Sequence, residues 1–254
     1  MARPNSIELP DREPIPILHE DRSVIAIDKP RGWMLVPYTW RKTSWNLQAA
    51  VESSIAGGDF WARSRGLKFL RNVHRLDVET SGILLFAKSF GALETFSELF
   101  ETRKMEKTYL AVVAGVPRQA EWTCELKLAP DKQRFRKMKV DSRHGKDART
   151  HFKILETRGR FSLVEAKPVT GRTHQIRVHL AEAGVPVVGD ELYGRSERNF
   201  QLGLRAVRLA YVDPFTKRRV DIRAPAENFL KEYGFAARED ARPTDQPAHG
   251  DTTR

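Results

Sequence analysis

The chain has 254 residues, enough to bury a sizeable core, and its 40% apolar and 30% charged residues are ordinary for a globular protein. Cys124 is the single cysteine, which excludes an intrachain disulfide or a multi-thiolate metal site, and no apolar run approaches the roughly 18 residues of a membrane-spanning helix. The formal net charge is +11; Ala236 to Arg254 holds three basic and four acidic residues, so the excess lies on the preceding chain and favours a polyanionic partner, nucleic acid before a membrane surface.

The N-terminus, MARPNSIELPDREP, lacks the apolar core of a secretory signal, and Glu8, Asp11 and Glu13 argue against a transit peptide, so a cytoplasmic protein is expected. Residues 1–14 read as a loosely held arm. Ile15 to Asp28 reads as two short strands around a polar turn, and Lys29-Pro30-Arg31-Gly32 breaks the pattern. A helix is predicted from Ser44 to Ile55, with Leu47, Ala50, Val51 and Ile55 on one face and Gly57-Gly58 ending it. GILLFA, Gly82 to Ala87, is a continuous apolar run of strand length, the mark of a strand buried on both faces. Ser89 is the N-cap of a predicted helix to about Arg103, with Leu93, Phe96, Leu99 and Phe100 at helical spacing.

Strands are predicted within Thr108–Cys124, Thr150–Leu155 and Phe161–Ala166, and Asp131 to Arg149 reads as a mobile basic loop. A helix from Thr170 to Ala183 closes at Gly184, and two further strands, Leu202–Val212 and Arg218–Ile222, precede a short helix from Pro225 to Tyr233. Residues 236–254 are polar, with Pro and Asp, and are expected to be disordered. The predicted fold class is α+β: a largely antiparallel mixed sheet with peripheral helices, one domain over residues 15–235.

No phosphate-binding GxxxxGK[ST] loop and no GxGxxG motif is present, nor is HExxH. His174 and His179, five apart on a helix, point roughly 140° away from each other, poor geometry for a shared metal. Chemistry without metal or cofactor is expected. HRLDVETSG, residues 74–82, sets a polar loop with an aspartate at its middle against the apolar strand, so Asp77 needs a partner to stay ionised. On spacing alone, an aspartate capping a turn fits as well. GRTHQIRVHLAEAGVPVVGDELYG, residues 171–194, offers guanidinium groups from a helix start; a plain basic surface helix fits that pattern too.

HRLDVETSG running into GILLFAK resembles the catalytic signature of RluA-type pseudouridine synthases, whose aspartate is the residue the chemistry requires. DKPRG (28–32) resembles the family's early KPxG turn, and Lys107-Thr108-Tyr109 its KxY strand. GKDART (145–150) resembles its GKxAxT element, and GRTHQIRVH with GVPVVGDELYG its third signature. The similarity runs from about Ile15 to Phe229 in the family's order and spacing. It implies the pseudouridine synthase catalytic fold, with RNA as the partner and uridine isomerised within it. Asp77 would be the catalytic nucleophile or base, Arg177 would pair with it, and Tyr109 would lie against the target base. Arg75 would fill the gap left by a flipped nucleotide. Lys29, Lys107 and Arg172 join Arg75 as expected RNA contacts, while His74, His174 and His179 are read as structural.

Some features depart from the family pattern. Too little chain precedes Ile15 for the S4-type domain many members carry, the spacer Ser53–Leu70 is long and aromatic, and Arg205 stands where a His is expected. These bear on the RNA chosen, tRNA or ribosomal RNA, more than on the reaction. A monomer without an obligate protein partner is expected. The rival readings are a non-catalytic RNA chaperone on this fold and a hydrolase releasing uracil.

Overall fold

β-branched and aromatic residues alternating with polar ones fold into pleated strands because one face of each can be buried while the other meets water. In the computed structural model, which describes residues 3–35, 45–194 and 200–235, most such stretches join one eleven-stranded sheet. The elements are β1 (Ser6–Ile7), β2 (Ile15–Glu20), β3 (Val24–Lys29), α1 (Leu47–Gly57), α2 (Phe60–Arg63), β4 (Arg71–Asn72), β5 (Ser81–Ala87), α3 (Phe90–Glu101), β6 (Glu106–Ala114), β7 (Glu121–Cys124), β8 (Leu128–Pro130), β9 (Met138–Val140), β10 (Thr150–Arg158), β11 (Phe161–Pro168), α4 (Gln175–Glu182), β12 (Leu204–Val212), β13 (Arg219–Arg223) and α5 (Glu227–Glu232). The sheet runs β1-β2-β3-β5-β12-β6-β11-β10-β7, with β13 beside β12 and β4 beside β5, while β8 and β9 form a separate hairpin. The fold is the expected α+β type, and its strand pairs are antiparallel except β5 with β12.

Strand β5 explains the apolar run GILLFA. Leu84 and Phe86 face one core, with Ile25, Ile27, Leu47 and Trp61, and Ile83 and Leu85 face the other, with Phe96 and Tyr211. Both faces are covered by helices and turns, so no polar residue alternates in. The strand enters through Gly82 at φ +109°, where a Cβ would lie 2.1 Å from the Ala206 carbonyl oxygen; only glycine lets β5 and β12 approach there.

Helix ends follow their local signals. Gly58 closes α1 in the left-handed region and Ser89 accepts the Ala92 N–H at the start of α3, as expected, whereas α1 begins at Leu47 with Asn46 accepting the Ala49 N–H, and the expected start at Ser44 lies outside the described residues. Other expectations are corrected. The arm is not loose: Ile7 and Leu9 are buried in the first core, and Ser6 and Ile7 pair with Pro16 and Ile15. In the aromatic spacer, Trp61 is fully buried and its indole N–H donates to Ser54. The basic loop is not wholly irregular: it contains β9, which pairs with β8 just before it, and the hairpin is held because Leu128 and Ala148 pack with Val178 of α4. The last long helix starts at Gln175, not Thr170, because the Gln175 side chain bonds Thr170 and the Arg172 N–H in an irregular turn. The expected disorder of residues 236–254 lies outside the described residues.

Candidate active site

Lys29 ends β3 with a fully buried side chain, and its Nζ lies 3.0, 3.3, 3.1 and 2.9 Å from the carbonyl oxygens of Pro30, Asp77, Val78 and Thr80. Burial pushes the ammonium down to about 7, against the pull of Asp77 and Glu79. The side chain gathers the carbonyls of the 77–80 loop around one donor group and thereby fixes the loop. This corrects the expectation that Lys29 contacts RNA: its head is sealed under the loop, out of reach of a phosphate.

The loop presents Asp77 to α4. Arg177 Nη1 donates to Asp77 Oδ2 at 3.3 Å, while Nε and Nη2 grip Asp190 Oδ2 and Oδ1 at 2.7 Å each. Asp190, with no exposed surface, also accepts the N–H groups of Leu192 and Tyr193. Burial works against the Arg177 charge, but the hydrogen bonds and charge of Asp190, with Asp77 and Glu79 beyond, outweigh it and hold the guanidinium above its ordinary value. Asp77 Oδ1 carries no hydrogen bond among the described residues, and its side chain retains 15% exposure towards the cleft. One carboxylate thus locks the arginine, and the other is oriented by it yet left open.

The cleft has a volume of about 450 Å³ and is lined by Asp77, Tyr109, Ile176, Arg177 and Leu204, with Arg75, Arg103, Lys107 and Arg172 around them. Burial and the nearby Asp77 push the Tyr109 phenol up, so it stays protonated through neutral pH. Arg75 and Arg103 are exposed, and Arg172 donates to the Asp147 carbonyl at the cleft edge. Burial pushes Lys107 down to about 8, leaving it cationic at neutral pH. Four cations beside an open carboxylate and a buried phenol suit an anionic polymer that delivers one flat group into the pocket.

Of the residues the sequence singled out, Asp77, Tyr109, Arg177, Arg75, Lys107 and Arg172 meet in this cleft, and Lys29 stands behind it. His74 stacks on Phe100 at 4.5 Å and accepts the Leu85 N–H, while burial and then Lys107 push it down to about 3. His179, bonded to Thr150 and the Leu126 carbonyl, is likewise part of the packing. His174 is different: its Nε2 lies 3.9 Å from Asp77 Oδ2 and its Nδ1 2.9 Å from the Tyr193 hydroxyl. Asp190, Tyr193 and Arg103 were missed as well. Asp190 and Tyr193 lie within GDELYG, where an acid behind a glycine and an aromatic were available signals. Gly189 sits at φ +72° with its Cβ position 2.1 Å from the Gln201 carbonyl oxygen, which holds Asp190 beneath the site.

The family described as RNA pseudouridylate synthase matches residues 23–182 of the chain. The chain is 36% identical over 238 residues to ribosomal large subunit pseudouridine synthase C of Yersinia pestis, covering 89% of this chain and 70% of that protein. It is 35% identical over 189 residues to ribosomal large subunit pseudouridine synthase D of Borreliella burgdorferi, covering 73% of this chain but only 56% of that relative's length. Among solved structures it is similar to human RNA pseudouridylate synthase domain containing 1, with a TM-score of 0.66, 28% identity and 83% of each chain covered.

Proposed function

This chain belongs to the RNA pseudouridylate synthase family, of the RluA type, and from that premise we propose that it converts particular uridines to pseudouridine in structured tRNA, ribosomal RNA or both, with Asp77 as the reacting carboxylate. The observation that carries the reading is the open Oδ1 of Asp77, presented to the cleft while Arg177 holds Oδ2 and Asp190 holds Arg177. Such an arrangement aims one carboxylate oxygen at the cleft while its partner oxygen is held, which suits a nucleophile or a base. In the isomerisation the C1′–N1 bond breaks, a C1′–C5 bond forms, C5 loses its proton and N1 gains one. The overall change needs no oxidant, reductant or energy source.

Chemistry on a base requires the target nucleotide to leave its stack, and Arg75, exposed at the cleft, would occupy the gap. The Tyr109 phenol, kept protonated, packs against the uracil face. Arg75, Arg103, Lys107 and Arg172 take the flanking phosphates, so affinity falls steeply as salt rises from low to moderate.

The test is incubation of wild type and Asp77→Asn with unmodified cellular RNA, followed by chemical quantification of pseudouridine. Product from wild type and none from a variant that melts at the same temperature supports the reading. Equal product from both removes Asp77 from the reaction. Binding without product from either shifts the reading to an RNA chaperone.

A further inference from the structure

The proposed reaction leaves unused a polar chain that ends at Asp77: the Met138 N–H, the Tyr193 hydroxyl and the His174 ring. Tyr193 Oη accepts the Met138 N–H at 2.7 Å and lies 2.9 Å from His174 Nδ1. A phenol has one proton to give, and His174 Nδ1 is the acceptor within reach of it among the described residues. The hydroxyl therefore donates to Nδ1, and in the neutral ring the proton sits on Nε2. That N–H faces Asp77 Oδ2 at 3.9 Å, the oxygen that Arg177 also holds.

The ring has been placed for this at some cost to the backbone. His174 stands at φ +54°, the left-handed region, just before the first residue of α4, and is buried. It faces Asp77 and Glu79 from the loop before β5, Arg177 from its own helix, and Asp190 and Tyr193 from the segment after that helix. Burial first, and then Arg177, push it below the ordinary histidine value, against Asp77, Asp190 and Glu79. It is therefore a neutral donor at pH 7. The Tyr193 ring is flanked by Lys137, 5.1 Å from its centroid, and by Arg177 at 5.4 Å. The far end of the chain is thus the basic β8–β9 hairpin.

We propose that His174 is a positioning residue for Asp77, fixed by Tyr193 as the Nε2–H tautomer so that its N–H steers Oδ2 and leaves Oδ1 for the substrate. The inference rests on the reading of Asp77 as the reacting carboxylate. The 3.9 Å separation closes into a hydrogen bond when RNA fills the cleft, since apo contacts of this kind commonly tighten in the loaded complex. Because the tautomer depends on the Met138 N–H, seating of the hairpin reports to the carboxylate through two side chains.

The experiment is steady-state kinetics on one RNA substrate for wild type, His174→Leu, His174→Gln, Tyr193→Phe and the double variant Tyr193→Phe/His174→Gln, with melting temperatures for each. His174→Leu is expected to lower kcat about tenfold, the size of one ordinary hydrogen bond, with KM unchanged. His174→Gln, which keeps an N–H near the Nε2 position, restores kcat. Tyr193→Phe frees the tautomer and lowers kcat when His174 is intact, yet changes nothing when added to His174→Gln, where the donor no longer depends on it. A Tyr193→Phe effect of equal size in both backgrounds, or an unchanged kcat in a folded His174→Leu, overturns the inference. Wild type that makes no pseudouridine at all overturns instead the reading on which it rests.

Discussion

Two buried arginines, Arg205 and Arg177, are put to different use. Arg205, on β12, donates to Asp28 at 2.6 Å, to the Pro225 carbonyl at 2.9 and 2.7 Å and to Ser81 at 3.2 Å, and every partner belongs to the scaffold. Arg177, on α4, has a sealed carboxylate at 2.7 Å and a second at 3.3 Å that opens on the cleft. A buried cation whose partners are all committed is a rivet; one with a committed and an uncommitted partner is a holder. The closeness of Asp190 is what allows the contact to Asp77 to be loose without stranding a charge.

That comparison is broken most sharply at Asp77. Asp77→Asn should abolish product formation, by at least about 10³-fold, while the melting temperature barely moves because Arg177 keeps Asp190. Asp190→Asn should do what Asp77→Asn does not: leave Arg177 poorly paired and cost about 3–5 kcal/mol in denaturant unfolding, with activity lost alongside. Asp28→Asn on the other arginine should cost less, about 2 kcal/mol, because Pro225 and Ser81 remain, and turnover per folded molecule should stay at the wild-type value. The smallest effect contrasts these sealed cations with one at the cleft. Lys107, pushed down to about 8, is protonated at pH 7 and loses its charge as pH rises through 8. The KM for RNA should therefore rise a few-fold between pH 7 and 9, and Lys107→Arg, charged throughout, should flatten that rise.

The cleft-facing end of the candidate site was legible in the sequence, and its support much less so. Asp77 and Arg177 lie in short signatures whose order along the chain is itself informative, and the strand after Asp77 was visible as an apolar run. Which carboxylate Arg177 grips most tightly was not visible, because Asp77, Glu79, Asp190 and Glu191 all lie in or beside those signatures and only the fold chooses among them. Lys29 was misplaced for the same reason: a lysine in a turn before glycine reads as exposed, and nothing local says that four carbonyls from residues 30 and 77–80 close over it. The β8–β9 hairpin escaped because its strands are three residues each, too short for alternation to register against a basic background. His174 was set aside because two histidines five apart fail as a metal pair, a test that says nothing about a single ring beside a carboxylate.

The place of β12 has a consequence for how the molecule comes together. β1, β2, β3 and β5 form one block of consecutive pairing, and β6, β7, β10 and β11 form another, yet they meet only through a strand that begins at Leu204. Until that strand is made, β6 has an unpaired edge, and β5 is covered on that side only where β4 pairs with Phe86 and Ala87, which leaves apolar edges open to mispairing. Asp77 and Arg177, one hundred residues apart, sit on opposite sides of this junction. A nascent or truncated chain ending before Leu204 would hold both residues and neither the sheet nor the site, so the keystone strand arrives late and everything that reacts waits for it.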